Sequence, residues 1–200
     1  MIVLGLTGSI GMGKSTTAGF FRDAGIPVWD ADAAVHRLYA RGGAGVAAIG
    51  GLIPDAVIDG AVDRSRLRGA IVKNAALLAR VEALIHPLVA QDRAAFLERE
   101  RAAGAALVLC DIPLLFEVGG AAGVDKIVVV TAPPDVQRAR VLARPGMTDA
   151  DLDAILARQM PDAEKRRKAD FIIDTANGCG SAREAVAALI ARLRKGQAHA

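Results

Sequence analysis

The chain has 200 residues, of which 52% are hydrophobic and 24% are charged. This composition excludes a disordered chain, and the length allows one domain or a core with one insertion. A net charge of +3 at pH 7 favours anionic partners. Charge alone does not distinguish phosphorylated small molecules from nucleic acid.

The longest uncharged stretches, residues 1–13 and 42–54, are too short to cross a membrane, which takes about 20 apolar residues. The amino terminus has neither the basic segment nor the cleavage site of a secretory signal. Cys110 and Cys179 lie far apart, which fits a reducing compartment and no cysteine metal site. We therefore expect a cytoplasmic protein that makes no contact with membranes.

Short apolar runs alternate with helical patterns along the chain. The first run ends in a glycine-rich turn, a helix follows over residues 14–24, and Gly25 and Pro27 end that helix. Near-continuous apolar strands are typical of a parallel sheet covered by helices on both faces. We predict an α/β fold with a five-stranded parallel sheet, its strands at residues 2–6, 28–29, 106–110, 126–130 and 171–173.

Two intervals between the strands are longer than a simple crossover requires. Residues 33–103 carry helical patterns at 64–75 and 77–101, and His86–Pro87 predicts the end of one helix and a kink into the next. We interpret this interval as an inserted helical subdomain. A smaller insertion covers residues 144–168, which leaves a single domain whose core is 1–32, 104–143 and 169–200.

Capping boxes predict the helices near the carboxyl terminus. Thr148 and Asp151 open a helix that runs to Gln159, and Ser181 with Glu184 opens the last helix. The basic run at residues 165–168 is interpreted mainly as a solvated surface.

The first run is followed by Gly-Ser-Ile-Gly-Met-Gly-Lys-Ser-Thr at residues 8–16, which matches G-x-x-x-x-G-K-[ST]. Backbone N–H groups of such a loop bind phosphate, Lys14 bridges the β- and γ-phosphates, and the Ser15 hydroxyl binds Mg²⁺. A chance glycine-rich turn is the alternative, but the strand before and the helix after agree with the motif. No Asn-Lys-x-Asp stretch exists for guanine, so we expect ATP, and the short chain favours a small-molecule kinase.

Three aspartates follow predicted strands. Asp30 and Asp32 come after the second strand, where one carboxylate could accept the proton of an attacking hydroxyl or hold Mg²⁺ through water. Alternatively, Asp32 caps a helix that starts at Ala33. Asp111 follows the third strand and fits a magnesium partner or a turn residue.

Arginines follow the fourth strand. Arg138, Arg140 and Arg144 occupy the next helical pattern, and the last two share a face because they are four residues apart. Such a pair suits the charge of a transferring phosphoryl group, or it forms a solvated basic face.

These residues together resemble the dephospho-CoA kinase family over nearly the whole chain. The resemblance lies in residues 6–16, Asp30-Ala31-Asp32, Asp59-Gly60 with Arg64 and Leu67, residues 83–87, Pro113-Leu-Leu-Phe-Glu117, Gln137 with Arg140 and Arg144, and Ala169-Asp170. The Pro-Leu-Leu-Phe-Glu segment is the most discriminating of them.

The resemblance implies a P-loop fold in which residues 33–103 bind substrate and residues 144–168 form a lid. It implies transfer of the ATP γ-phosphate to the 3′-hydroxyl of the ribose of dephospho-CoA, with Mg²⁺, and a small-molecule substrate instead of nucleic acid. The chain departs from the family pattern at Ser9, at Met12, and at Thr175-Ala176-Asn177, where an asparagine usually follows the strand-end aspartate directly.

The site residues implied by the resemblance fall into four groups. The catalytic residues are Asp32 as base, Lys14 and Arg140. The ATP contacts are Gly8, Gly11, Met12, Gly13, Lys14, Ser15, Thr16, Arg144 and Asn177. The substrate contacts are Thr7, Asp30, His86, Pro113, Leu114, Leu115 and Glu117, and the Mg²⁺ ligands are Ser15, Asp32 and Asp111.

Two other functions stay open at this stage. Another P-loop kinase that phosphorylates a nucleotide or nucleoside would share the loop and the lid. A nucleic-acid-binding regulator switched by ATP would fit the basic charge, although aromatic residues are only 4% of the chain and stacking platforms are therefore scarce. The sequence leaves the oligomeric state open, and a monomer fits it.

Overall fold

A computed structural model of the protein describes residues 1–72 and 74–197. The chain forms two compact units, which we call the core unit (Met1–Trp29 with Glu100–Ala200) and the insertion unit (Asp30–Arg99). Residues 73 and 198–200, which belong to the predicted helix 64–75 and the predicted core segment 169–200, lie outside the described residues.

Strands and helices alternate along the chain. The strands are β1 (Ile2–Thr7), β2 (Val28–Asp30), β3 (Val57–Ile58), β4 (Ala61–Val62), β5 (Leu107–Asp111), β6 (Lys126–Thr131) and β7 (Phe171–Asp174). The helices are α1 (Lys14–Asp23), α2 (Ala31–Tyr39), α3 (Ala44–Leu52), α4 (Arg64–Val72), α5 (Ala75–Ala102), α6 (Pro134–Leu142), α7 (Asp149–Leu156), α8 (Asp162–Arg167) and α9 (Gly178–Gln197).

The main sheet has five strands in the order β2-β5-β1-β6-β7. Strand β1 is central and pairs in parallel with β5, where Leu4 faces Leu109, and with β6, where Gly5 faces Ile127. The predicted five-stranded parallel sheet is confirmed. Strands β1, β5 and β6 are largely buried, which agrees with their near-continuous apolar runs in a sheet that helices cover.

The core of this unit forms between the sheet and helices α1 and α9. Phe21 of α1 is fully buried, and it shares one apolar cluster with Leu4 and Leu6 of β1 and with Val186 and Ile190 of α9. Truncating a side chain as large and buried as Phe21 to alanine costs about 3–5 kcal/mol of stability. This packing fixes the start of α1, and with it the loop that precedes α1.

The insertion unit has its own apolar core. Ile49 of α3 and Val81 and Ile85 of α5 are at most 5% exposed and belong to one cluster. The Arg37 guanidinium of α2 donates two hydrogen bonds to the Asp92 carboxylate of α5, and the shorter of the two is 2.6 Å. The apolar face of α5 therefore forms part of a hydrophobic core.

The structure corrects three predicted helix boundaries. Helix α5 continues through Pro87, so the predicted helix end at His86–Pro87 is wrong. Proline weakens a helix, but the burial of the neighbouring Ile85 stabilises this one. The last helix begins at Gly178, before the predicted Ser181 cap. The Thr148 capping box forms as predicted, but its helix ends at Leu156 instead of Gln159.

In residues 1–72 and 74–197, no helix combines the length and the apolar character needed to cross a bilayer.

Candidate active site

The glycine-rich loop connects β1 to α1, and two of its glycines are required by geometry. A Cβ atom at Gly8 would lie 2.7 Å from the Val130 carbonyl oxygen. Gly11 has a φ of +78°, and a Cβ atom there would lie 2.7 Å from the side chain of Val141. The loop can approach strand β6 and helix α6 only because both positions lack side chains.

Two glutamines hold the middle of this loop. The Gln137 side-chain amide donates to the Ile10 carbonyl at 2.7 Å, and the Ile10 N–H donates to Gln159 Oε1 at 3.2 Å.

The side chain of Met12 is 2% exposed, and its sulfur accepts a hydrogen bond from the Ala132 N–H at 3.1 Å. The buried Met12 side chain therefore anchors the loop.

Lys14 and Asp111 form an ion pair at the base of the loop. Lys14 Nζ lies 2.6 Å from Asp111 Oδ1, and the Asp111 side chain is only 3% exposed. Asp111 is the last residue of β5, so its interpretation as a turn residue is wrong. The pair brings a movable cation and a carboxylate together at the carboxyl end of the sheet.

The residues of the first turn of α1 fit a magnesium site. Ser15 and Thr16 are exposed, and Ser15 directly follows Lys14, which contacts Asp111. Hydroxyl and carboxylate oxygens suit Mg²⁺, which commonly takes only one or two protein ligands and fills its other positions with phosphate and water. Such a site does not require a cluster of three His, Cys, Asp or Glu side chains. Residues 1–72 and 74–197 contain no cluster of that kind.

A cavity of about 210 Å³ opens beside the loop. Arg140 and Arg144 both line it, as the shared face of their spacing predicted, although Arg144 lies beyond the end of α6. Arg138 points instead to Asp149 and Asp153 of α7. The other lining residues are Gly11, Gly13, Thr16, Thr17, Thr175, Gly178, Cys179 and Ala182.

Thr175 connects the loop to Arg140. Its hydroxyl donates to the Met12 carbonyl at 3.0 Å, while the Arg140 guanidinium donates to that hydroxyl at 2.8 Å and to the Thr175 carbonyl at 2.7 Å. Asn177, one of the nine predicted ATP contacts, is exposed and does not line the cavity. The signal for Thr175 is its place directly after the last residue of β7.

Four predicted substrate contacts lie at the end of β1 or in the segment after β5. The Thr7 side chain is fully buried, and its hydroxyl donates to the Pro113 carbonyl at 3.0 Å. Leu115 is also fully buried, whereas Leu114 is 39% exposed. Of these four residues, only Leu114 is therefore exposed to solvent, while Pro113 is half-buried.

Glu117, the fifth predicted contact in this region, is paired with a buried lysine. Lys165 Nζ lies 2.9 Å from Glu117 Oε1, and the Lys165 side chain is 0% exposed. Burial alone would raise the pKa of Glu117, but the Lys165 ammonium and the Met160 N–H lower it below its usual value. The interpretation of Lys165 as part of a solvated surface is wrong.

The other predicted residues, Asp30, Asp32 and His86, lie in the insertion unit. Asp30 Oδ1 accepts from the Ala33 N–H at 3.0 Å, so Asp30 is the cap of α2 and the alternative that Asp32 caps this helix is wrong. Asp32 is exposed in the first turn of α2. His86 is exposed on α5.

The site can bind a polyphosphate. The core unit supplies a glycine-rich loop before a helix amino terminus, one lysine and two arginines. Backbone N–H groups and these cations are the groups that proteins use to neutralise nucleoside triphosphates.

Comparisons with known proteins agree with this chemistry. The model of the dephospho-CoA kinase family, CoaE, matches residues 2–180. A dephospho-CoA kinase of Mesorhizobium japonicum is 60% identical over 196 residues, which cover 97% of this chain and 98% of that protein. One from Jannaschia sp. strain CCS1 is 57% identical over 193 residues, 96% of this chain and 97% of that protein.

Solved structures have the same fold. The crystal structure of TT1252 from Thermus thermophilus superposes with a TM-score of 0.81 at 35% identity, and it covers 96% of this chain and 97% of its own. Dephospho-CoA kinase from Campylobacter jejuni has a TM-score of 0.71 at 24% identity and covers 98% of both chains. At 24% identity the second likeness supports the fold alone.

Proposed function

Because the chain belongs to the dephospho-CoA kinase family and is therefore an ATP-dependent kinase, we propose that it phosphorylates the 3′-hydroxyl of the ribose of dephospho-CoA. The products are coenzyme A and ADP. The observation that carries the proposal is the pairing of Lys14 with Asp111 at 2.6 Å beside a complete phosphate-binding loop, in a chain that matches this family almost from end to end.

The proposed reaction is an in-line phosphoryl transfer. The acceptor oxygen forms a bond to the γ-phosphorus, and the bond from that phosphorus to the bridging oxygen breaks, so its electron pair stays on ADP. The hydroxyl proton passes to a carboxylate. Positioning and neutralisation of charge provide most of the catalysis in such transfers.

The core unit would bind ATP. The N–H groups of the loop and Lys14 would contact the β- and γ-phosphates, and Arg140 and Arg144 would face the triphosphate from the cavity that they line. Thr175 holds Arg140 by two hydrogen bonds, which favours one orientation of its planar guanidinium.

Ser15, Asp111 and Asp32 would hold Mg²⁺. When bound, the ion supplies neutralisation of the charge that builds up on the phosphate oxygens. Two of these residues belong to the core unit, where Lys14 already contacts Asp111. The contribution of Asp32 is part of the proposal.

Asp32 is the proposed general base. Its carboxylate is exposed and takes no part in capping α2, because Asp30 fills that role. A free carboxylate can accept the proton of the acceptor hydroxyl, whereas a cap is engaged with its own helix. We also propose that residues 33–103 bind dephospho-CoA and that residues 144–168 form the lid over ATP.

A coupled assay of ADP release tests the function directly. Purified protein with ATP and Mg²⁺ is given dephospho-CoA, or a nucleoside monophosphate in a parallel reaction. Phosphorylation of dephospho-CoA alone is the expected result. Phosphorylation of the monophosphate but not of dephospho-CoA would instead indicate a nucleotide kinase, and mass spectrometry of the products identifies which acceptor was modified.

The proposed setting is a cytoplasmic enzyme with a small-molecule substrate. Neither Cys110 nor Cys179 forms a disulfide, and two widely separated cysteines are typical of proteins from a reducing compartment. Fractionation of cells followed by the same ADP-release assay tests the location.

A further inference from the structure

Lys165 is a charged side chain that has no exposure to solvent. An ammonium group is removed from water only at a large energetic cost, unless an opposite charge compensates it. Here the compensating group is Glu117, whose Oε1 atom lies 2.9 Å from Lys165 Nζ. A lysine on a short surface helix such as α8 would normally extend into solvent, so this burial requires an explanation.

The same carboxylate also holds the chain before α8. Glu117 Oε1 accepts a hydrogen bond from the Met160 N–H at 2.8 Å. Next to it, Lys168 Nζ lies 5.7 Å from the centre of the Phe116 ring, within the range of a cation–π contact. Two neighbouring residues of the loop after β5 therefore contact three residues of the segment 160–168.

This segment also reaches the phosphate-binding loop. We call residues 159–168 the lid base, because they lie at the carboxyl end of the proposed lid. Gln159 Oε1 accepts from the Ile10 N–H of the loop at 3.2 Å. Asp162 Oδ2 accepts from the hydroxyl of Thr131, the last residue of β6, at 2.9 Å.

We propose that Glu117 and Lys165 are positioning residues that fasten the lid base to the nucleotide site. The inference rests on the proposed function, because it concerns the lid of that kinase. It also gives Glu117 a role different from the substrate contact that the resemblance implied. Glu117 holds Met160 and Lys165, and Gln159, the neighbour of Met160, holds the backbone of the phosphate-binding loop.

The expected consequence of a loose lid base is transfer of phosphate to water. In that side reaction a water oxygen bonds to the γ-phosphorus, the bond to the bridging oxygen breaks, and ADP, phosphate and one proton are released. An enclosed site keeps water from competing with the acceptor hydroxyl. The ratio of ADP formed to dephospho-CoA phosphorylated therefore measures how well the lid base is held.

The experiment compares two variants with a matched control in the full-length protein. Glu117→Gln keeps the shape of the side chain and removes its charge. The double variant E117M/K165M removes both charges, so no unpaired buried charge remains even if Glu117→Gln folds poorly. Lys126→Met is the control, because Lys126 also forms an ion pair at 2.9 Å, with Asp170, at the opposite end of β6 from Thr131.

The wild-type protein and Lys126→Met are expected to form one ADP for each phosphorylated acceptor. In the folded Glu117 variants we expect this ratio to rise by about threefold or more, because water enters the loosened site. Circular dichroism establishes which variants are folded. A loss of stability alone would lower both products in proportion and leave the ratio unchanged.

A ratio of one in every folded Glu117 variant overturns the inference and leaves the proposed function intact. A wild-type protein that forms no phosphorylated dephospho-CoA overturns the proposed function itself. The two failures are therefore distinguished by different proteins in the same assay.

Discussion

Lys14 Nζ and Asp111 Oδ1 lie 2.6 Å apart at the point where the phosphate-binding loop meets the carboxyl end of β5. Each of the two groups neutralises the other in a largely buried place. In the proposed function, ATP and Mg²⁺ would give both of them new partners, because the γ-phosphate would attract the ammonium and the metal would attract the carboxylate. The pair thus keeps two charged groups ready for the nucleotide without leaving either unpaired.

Replacement of Lys14 tests the role of this pair in catalysis. In Lys14→Ala we expect turnover to fall on the order of 10²-fold or more, because charge on the transferring phosphate loses its cation. The coupled ADP-release assay measures it at saturating dephospho-CoA. Lys126→Ala, which removes a lysine paired with Asp170 instead, serves as control, and equal turnover in both variants would contradict a catalytic role for Lys14.

Asp32→Asn tests the proposed general base. The substitution keeps the shape of an exposed side chain and removes its ability to accept a proton, so we expect turnover to fall by roughly 10²-fold or more. The affinity for ATP, measured by titration calorimetry, should stay near that of the wild type. Normal turnover in this variant would rule out Asp32 as the base.

Asp30→Asn provides a matched control for the neighbouring aspartate. Asparagine is as good a helix cap as aspartate, so the α2 cap to Ala33 should survive with little change in thermal stability. If the Asp30 carboxylate takes no part in the chemistry, turnover should also stay near that of the wild type. A loss as large as that of Asp32→Asn would show that the two carboxylates share the chemistry.

Thr175 is expected to support ATP binding through Arg140. Thr175→Val removes the hydroxyl that accepts a hydrogen bond from Arg140 and donates one to the Met12 carbonyl. Because a hydrogen bond to a charged group contributes substantially, we expect KM for ATP to rise about tenfold. Thr175→Ser keeps the hydroxyl and should stay close to the wild type. Steady-state kinetics with varied ATP compares the two, and equal KM values would contradict this role.

Arg140→Ala tests the arginine itself, whereas the Thr175 variants test the residue that holds it. We expect turnover to fall by roughly 10²-fold, because the guanidinium proposed to face the triphosphate is lost altogether. The kcat of Arg140→Ala is compared with that of Arg138→Ala, which lacks an arginine paired with the exposed Asp149 and Asp153 of α7. Normal turnover in Arg140→Ala would limit that residue to its structural contacts with Thr175.

The Glu117 and Lys165 pair predicts a pH-dependent part of the stability. The pKa of Glu117 is lowered in the folded protein: burial raises it, but the contacts with Lys165 and Met160 lower it by more. A carboxyl group with a lowered folded pKa contributes stability above its ordinary value of 4.5, and the contribution is lost as pH falls through the folded pKa. The difference in Tm between the wild type and Glu117→Gln should therefore be largest at neutral pH.

Thermal unfolding followed from neutral pH to below pH 4.5 measures this difference. The gap in Tm should narrow on the acid side, because protonated Glu117 resembles glutamine in charge. A gap that stays constant with pH would mean that the charge of Glu117 contributes nothing to the stability of the fold.

Local sequence patterns determined much of this protein. The five apolar runs predict the strands of the sheet because each strand reads as a continuous apolar segment of the chain. The loop from Gly8 to Thr16 predicts a phosphate site because glycine content, lysine and the following helix all lie within a few residues. Likewise, the predicted pair Arg140 and Arg144 lines one cavity, although Arg144 follows the end of α6.

Only the tertiary structure decided which partners the polar residues have. Lys165 lies in a run of basic residues, which is typical of a solvated surface. Its partner Glu117 comes from a distant part of the chain, so residue spacing does not predict the pair. The choice of Thr175 over Asn177 at the cavity likewise depends on contacts with Met12 and Arg140. Periodicity encodes which face of an element is buried, whereas the burial of a charge depends on the fold that brings its counter-charge.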